Sequence, residues 1–105
     1  MVIPKKIQIM DSEIRIEWDE HLHFKDDSTG SANYRENKIV LQPSAKEWPV
    51  DDADMIHTLF HEITHWILHK MESELKSDEQ FVEVFSGLMH QALVSGEFIH
   101  DKIEK

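Results

Sequence analysis

The spacing of hydrophobic and polar residues changes once along this chain, near Pro49. Before that point, apolar and polar residues alternate in two segments, KIQIM and EIRIEW, and a period of two places alternate side chains on one face of a strand. Asp11 and Ser12 separate the two segments and favour a turn. The pattern therefore predicts a β-hairpin near the start of the chain.

A second β-hairpin is predicted in the segment SANYRENKIVLQ, which follows a polar stretch. Ile39 and Leu41 fall on one face of it, and Glu36 and Asn37 occupy the turn. The chain should therefore contain three or four short strands. Beyond them, two prolines enclose the loop PSAKEWP, whose Trp48 is expected to pack onto the sheet or a helix.

The strongest helical pattern begins directly after Pro49. Asp51 or Asp52 is a favourable N-cap, and no glycine or proline follows until Gly87, so a helix is predicted from about Asp52 to about Met71. Its apolar residues cover enough of the helix surface for most of the helix to be buried. They are Ile56, Leu59, Phe60, Ile63, Ile67 and Leu68.

A second helix is predicted from the capping-box pattern SDEQ, residues 77–80, to about Val94. Only a handful of residues join the two helices, so they should pack antiparallel. The segment GEF after Ser95 should then turn the chain into a short C-terminal segment. The positions at helical spacing along this helix are Phe81, Val84, Phe85, Leu88, Gln91 and Ala92.

Length and composition fit one folded domain. The chain has 105 residues, 40% of them hydrophobic, and no long polar tract, so residues 1–105 are expected to form a single globular domain. Together with the strand and helix patterns, this predicts an α+β fold. In it, a small three- or four-stranded sheet, antiparallel or mixed, packs on the first helix and on an antiparallel second helix.

Charge narrows the classes of partner. Asp and Glu total 21 against 11 Lys and Arg, a formal net charge of −10, and such a surface repels nucleic acids and anionic membranes. The absence of cysteine excludes disulfides and thiolate zinc sites. The chain shows neither an export signal nor a long apolar run. We therefore expect a cytoplasmic protein that binds neither nucleic acid nor membrane.

The centre of the first predicted helix contains candidate metal ligands. They lie in the segment HTLFHEITHWILH, residues 57–69. Residues four apart lie on one face of a helix, so His61 and His65 can direct both imidazoles at one ion. Glu62 then lies beside the open side of that ion, where its carboxylate can take a proton from water and pass it to a leaving amine. A chain with 8 histidines can produce an HExxH string by chance, but its position among apolar residues of a helix favours the metal interpretation.

A catalytic zinc ion usually needs a third protein ligand, because it keeps its fourth position for water. Glu79 and Glu83, in the second helix, are candidates that lie four residues apart. If the connection is centred near residues 73–75, antiparallel packing places residues 83–86 opposite the two histidines, which favours Glu83 over Glu79. Another histidine is the remaining alternative.

Four further positions on these elements are candidates for supporting roles. His57 and His69 extend the histidine face of the first helix by one turn in each direction, and successive turns cannot all reach one ion. We therefore expect both to lie outside the coordination sphere. Tyr34 and His90 are candidate donors of a hydrogen bond to an oxyanion.

These motifs resemble those of a family of zinc peptidases. TLFHEITHWILH followed by EVFSGL is similar to the gluzincins, and most similar to the small phage and prophage proteins related to the repressor-cleaving ImmA/IrrE metallopeptidases. In that group the third ligand lies in Glu-x-x-Ala-Asn; here Glu83 and a small residue match, and Gly87 replaces the asparagine. The upstream segment GSANYRENKIVLQ is similar to the hairpin that precedes the zinc helix in these proteins. The resemblance spans roughly residues 30–93.

The resemblance implies a minimal zincin-like domain that binds one Zn²⁺ ion. It assigns His61 and His65 as zinc ligands, Glu83 as the third ligand and Glu62 as the general base. The leading hypothesis is a zinc-dependent peptidase, an endopeptidase rather than an exopeptidase. Its protein or peptide substrate would pair with the edge strand of the second hairpin. The alternative is a non-catalytic metal-binding or protein-interaction module of a mobile-element regulatory system.

Overall fold

A computed structural model describes residues 3–22, 29–46 and 49–96 of the chain. Within these ranges the protein has an α+β fold, which confirms the predicted fold class. Trp48 and the segment from residue 97 onward, for which packing and a turn are predicted, lie outside the described residues. The elements are β1 (Lys6–Ile9), β2 (Ser12–Trp18), β3 (Gly30–Asn33), β4 (Lys38–Leu41), α1 (Asp52–Lys70), a 3₁₀ helix (Glu74–Ser77) and α2 (Glu79–Val94).

The four strands form one mixed sheet in the order β1-β2-β4-β3. Both predicted hairpins are present, since β1 pairs with β2 and β3 pairs with β4, each antiparallel. The second turn ends at Asn37, whose φ of 54° is a left-handed conformation that asparagine tolerates. The two hairpins are joined by a parallel pairing of β2 and β4, with Arg15 opposite Lys38. The described sheet is therefore mixed, and β3 forms one of its edges.

The hydrophobic core lies between the sheet and one face of α1. Trp66 is only 1% exposed, and its indole nitrogen lies 3.4 Å from the backbone oxygen of Lys38. His61 follows Leu59 by two residues, about 200° around the helix, so the sheet leaves the histidine face of α1 free for α2. The buried core residues are Ile14, Ile16, Ile39, Leu41, Leu59 and Trp66.

The ends of α1 agree closely with the predicted bounds. Asp51 is the N-cap, and its carboxylate accepts a hydrogen bond from the backbone nitrogen of Asp54 at 2.8 Å. At the other end, Glu72 has a φ of 55°, and the backbone nitrogen of Ser73 donates to the oxygen of Leu68 at 3.0 Å. This is a Schellman motif in which glutamate holds the left-handed position that glycine usually occupies. The chain therefore reverses directly after α1.

The 3₁₀ helix runs back beside α1 before α2 begins. The backbone oxygen of Lys76 already lies 3.1 Å from Nδ1 of His65. Asp78 is the N-cap of α2, and its carboxylate accepts a hydrogen bond from the backbone nitrogen of Phe81 at 3.0 Å. Ser77 instead closes the 3₁₀ helix, so α2 begins one residue later than the capping-box pattern predicts.

The second helix buries little apolar surface. Its buried residues are Val82 and Ser86, which lie four apart on one face. Val84, Phe85 and Leu88 are exposed, although their spacing fits an apolar face. Val82 is therefore the one fully buried apolar side chain among the described residues of α2, and glutamates of α2 also contact histidines of α1.

Candidate metal centre

His61 and His65 of α1 and Glu79 of α2 converge on one point. Each residue offers one possible ligand atom, and these atoms lie within 4.8 Å of one another. Nε2 of His61 is 3.3 Å from Oε1 of Glu79, and Nε2 of His65 is 3.2 Å from Oε2. Two atoms bound to one zinc ion at tetrahedral angles are about 3.3 Å apart. The spacing of the three side chains is therefore compatible with the binding of one metal ion.

Hydrogen bonds orient both imidazole rings. Nδ1 of His61 lies 2.9 Å from Oε1 of Glu83, and Nδ1 of His65 lies 3.1 Å from the backbone oxygen of Lys76. A carboxylate oxygen and a carbonyl oxygen both accept, so each Nδ1 can carry the proton and each Nε2 can offer its lone pair to a cation. Such hydrogen bonds are usual for metal-bound histidines, because they fix the tautomer and the ring orientation. Both lone-pair nitrogens lie on the side of Glu79.

The glutamate in this group is Glu79, whereas helix spacing favours Glu83. Glu83 contacts Nδ1 of His61 instead, and its other oxygen lies 3.4 Å from Nε2 of His57. The reason is the connection between the helices. The chain reverses directly after α1 rather than near residues 73–75, and the 3₁₀ helix already runs back along α1. This shifts α2 by about one helical turn and brings its first turn level with the two histidines.

Glu62, the predicted general base, belongs to α1, and its side chain is buried beside the edge strand β3. It is 7% exposed and lines two adjoining clefts. The first, of about 480 Å³, is lined also by both histidines and Glu79, and the second, of about 370 Å³, is lined also by Glu83. A Cβ atom at Gly30 of β3 would clash with Thr58 and would lie 3.1 Å from Oε2 of Glu62. The lack of a side chain at Gly30 therefore allows β3 to approach the carboxylate.

Tyr34 lines the first cleft together with the proposed ligands. Its ring stacks on that of His69, with 3.9 Å between the ring centroids and 6° between the planes. Burial raises the pKa of the Tyr34 hydroxyl, and the charges of Glu62 and Glu79 raise it further. The phenol therefore keeps its proton at neutral pH and can donate a hydrogen bond into the cleft, as a candidate oxyanion donor must.

The other described histidines of the two helices, His57, His69 and His90, lie around this group rather than in it. His69 stacks on Tyr34, and His57 lies beside Glu83. His90 lies against His57, with 5.7 Å between the ring centroids, and it is not among the described residues that line either cleft around Glu62. The structure therefore brings Tyr34 to the candidate site and leaves His90 outside it.

Lys76 and Gly30 both contribute to the site, although neither residue type suggests a functional role. Lys76 contributes through its backbone oxygen, which any residue in that conformation could supply. Gly30 contributes through its lack of a side chain. The available signal for Gly30 was its place at the start of the segment GSANYRENKIVLQ, which resembles the hairpin before the zinc helix, and the sequence offered no such signal for Lys76.

Comparisons with known protein families, with curated proteins and with solved structures give no match for this chain. In the part of the chain that the structure describes, neither helix combines the length and the apolar character needed to cross a membrane.

Proposed function

We propose that this protein is a zinc-dependent peptidase whose metal ligands are His61, His65 and Glu79. The observation that carries the proposal is the position of the two Nε2 atoms beside Glu79, with each Nδ1 held by an oxygen acceptor. Two imidazoles and one carboxylate are a common ligand set for catalytic zinc. When bound, Zn²⁺ supplies Lewis-acid charge and lowers the pKa of a coordinated water.

Glu62 is the general base in this proposal. It follows His61 directly in the chain and lines the same cleft as the three ligands. Its low exposure limits competition from bulk water, so the carboxylate can accept a proton from the attacking water and deliver it to the leaving amine. Tyr34 lines the same cleft with a protonated hydroxyl and can donate a hydrogen bond to the developing negative charge on the substrate oxygen.

The edge strand β3 offers a binding place for an extended peptide. It lies at the edge of the described sheet, and its residues Gly30 and Ala32 line the cleft that contains the ligands. A peptide can add to a sheet edge through backbone hydrogen bonds, with side-chain pockets giving specificity. A peptide paired along β3 can continue past the site in both directions, which favours endopeptidase action on a protein or peptide substrate.

The proposal agrees with the resemblance to gluzincins in its HExxH helix and in its glutamate from the following helix. It differs in the glutamate used. Glu79 lies one helical turn before Glu83, which is the residue that matches the third-ligand motif of the ImmA/IrrE group. In this chain Glu83 holds the ring of His61, and Glu79 faces the two Nε2 atoms.

The exchange Glu62→Gln tests the catalytic part of the proposal. It keeps the size of the side chain and removes the base, so zinc content should equal that of the wild type while hydrolysis of an unfolded protein falls by about 10²-fold or more. Zinc is measured by mass spectrometry of the purified protein, and hydrolysis by the release of new amino termini. Glu74→Gln, at an exposed position of the 3₁₀ helix, is the matched control and should keep full activity.

One result of the Glu62→Gln experiment would contradict the peptidase proposal. If wild type and Glu62→Gln both bind zinc and show equal hydrolysis, or no hydrolysis of any peptide, the peptidase proposal is wrong. The chain is then a non-catalytic metal-binding module.

A further inference from the structure

Tyr34 lies in a turn, yet its ring is contacted by two aromatic rings of α1. It is the first residue after β3, and turn residues are generally more mobile than the strands that they join. The ring of Trp66 meets it edge-on, with 5.0 Å between the centroids and 81° between the planes. The ring of His69 stacks on its face at 3.9 Å and 6°. Two side chains of α1 therefore set the position of the Tyr34 ring.

His69 contributes the face of its ring rather than a hydrogen bond through Nδ1. That atom is shielded from solvent, and it makes no hydrogen bond within residues 3–22, 29–46 and 49–96. A buried polar atom without a partner costs free energy, so this nitrogen does not stabilise the fold. The ring instead stacks on Tyr34 and meets Trp66 edge-on, with 5.8 Å between the latter two centroids. We therefore expect that a plain aromatic ring could take its place.

The stack also relates Tyr34 to the proposed metal ligands. His69 follows His65 by four residues, so it lies about 6 Å further along the same face of α1. Tyr34 lines the same cleft as His61, His65 and Glu79. A ring stacked on His69 therefore lies beside the group of ligands rather than within it, which suits a donor to a substrate oxygen.

Both rings that contact Tyr34 belong to α1, the helix that also carries two of the three proposed ligands. Trp66 is 1% exposed and belongs to the core between α1 and the sheet. Tyr34 is therefore tied to the apolar side of the fold, and α2 supplies neither ring. Its position should not depend on a bound ion.

We propose that His69 is a positioning residue, which holds the hydroxyl of Tyr34 in the cleft beside the proposed metal ligands. The effect on catalysis rests on the proposed peptidase function, whereas the effect on the Tyr34 ring does not. A donor that is already in place loses no freedom when negative charge develops on the substrate oxygen. Loss of the His69 ring should therefore lower kcat and leave KM nearly unchanged, because that hydrogen bond strengthens in the transition state.

The chain contains one tyrosine, so a label on tyrosine reports on Tyr34 alone. Fluorine NMR relaxation of the full chain, labelled with 3-fluorotyrosine, measures the mobility of this ring. The ring should be equally rigid in the wild type and in His69→Phe, with or without zinc, and should flip about tenfold faster or more in His69→Ala. Ile67→Ala is the matched control, since Ile67 is exposed on the same helix, and it should leave the ring unchanged.

Hydrolysis kinetics test whether this positioning serves the reaction. His69→Ala and Tyr34→Phe should each lower kcat by about tenfold or more, and His69→Phe should restore most of the rate. In a Tyr34→Phe background, His69→Ala should have little further effect, because two residues that act through one hydroxyl are not additive. A purely structural role of His69 would instead lower activity equally in both backgrounds.

Two results would overturn the proposal. One is a Tyr34 ring that stays as rigid in His69→Ala as in the wild type, and the other is an equal loss of kcat with and without the Tyr34 hydroxyl. Circular dichroism monitors folding, and His69→Leu, which keeps apolar bulk without a flat ring, replaces His69→Ala if that variant unfolds. A wild type without hydrolysis would contradict the peptidase proposal instead, and the NMR measurement would still decide whether His69 holds Tyr34.

Discussion

The two sides of α1 are held by different kinds of contact. On one side, Trp66 and the isoleucines of β2 and β4 form an apolar core that is almost fully shielded from solvent. On the other side, α2 buries Val82 and Ser86, and it reaches α1 largely through contacts between glutamates and histidines. Burial of apolar surface does not depend on bound ions, whereas contacts between imidazoles and carboxylates do. We therefore expect the sheet and α1 to form the stable part of the fold, and the position of α2 to respond to an ion bound by the proposed ligands.

The largest expected effect is on the apolar side of α1. Trp66→Ala should lower the free energy of unfolding by about 3–5 kcal/mol, because it removes a fully buried indole and leaves a cavity. Urea denaturation followed by circular dichroism measures the change. Trp18→Ala is the matched control, since Trp18 is 50% exposed, and it should cost much less. Equal losses for the two variants would contradict the assignment of the core.

Removal of zinc should act on the opposite side of α1. At a free zinc concentration of about 100 times the dissociation constant, binding stabilises the fold by about 2.7 kcal/mol, and a chelator abolishes that stabilisation. Hydrogen exchange should then quicken most in α2 and in the 3₁₀ helix, and least in β2 and β4. Uniform quickening over all elements would show that the two sides of α1 are equally coupled to the metal. Glu79→Ala should respond less to the chelator than the wild type.

The two glutamates of α2 should differ in their effect on the affinity of the proposed zinc site. Glu83→Ala should lower its affinity by about 10–100-fold, since it removes the hydrogen bond that orients His61. Glu79→Ala should lower it further, because it removes a ligand. Isothermal titration of both variants measures the difference. The reverse ranking would restore Glu83 as the third ligand.

The smallest effect is expected at the end of α1. Glu72 has a φ of 55°, a conformation that costs non-glycine residues about 1–2 kcal/mol. Glu72→Gly should raise the free energy of unfolding by about 0.5–1 kcal/mol, since glycine loses more chain entropy on folding and offsets part of the gain. Thermal denaturation measures the change. Glu74→Gly, within the 3₁₀ helix, should destabilise instead, and a similar loss at position 72 would argue against the Schellman motif.

The sequence predicted the local elements closely, because the signals for them are local. The N-cap at Asp51 and the long stretch without glycine or proline mark α1, alternation marks the strands of the first hairpin, and the turn residues Glu36 and Asn37 mark the second. The parallel pairing of β2 with β4 could not be predicted in the same way. It joins residues such as Arg15 and Lys38, which are far apart in the chain and carry no pattern that specifies the pairing.

In the candidate site, too, the residues within one helix could be predicted and the partner from another element could not. His61, Glu62 and His65 share one helix, so spacing alone places them on neighbouring positions of its surface. The third ligand comes from a second helix, and its identity depends on how the chain turns between the two. That turn is made by a glutamate in a left-handed conformation, a position at which glycine would have been the recognisable signal.

The connection between α1 and α2 acts as a spacer of fixed length. Each residue of an α-helix advances the chain by about 1.5 Å and about 100° of rotation, so one residue added before Asp78 would carry both carboxylates away from the imidazoles. Connections between helices commonly tolerate insertions, but this one sets which side chains meet. If the proposed ligands bind zinc, the affinity of the site can therefore be tuned by the length of a segment that supplies none of them.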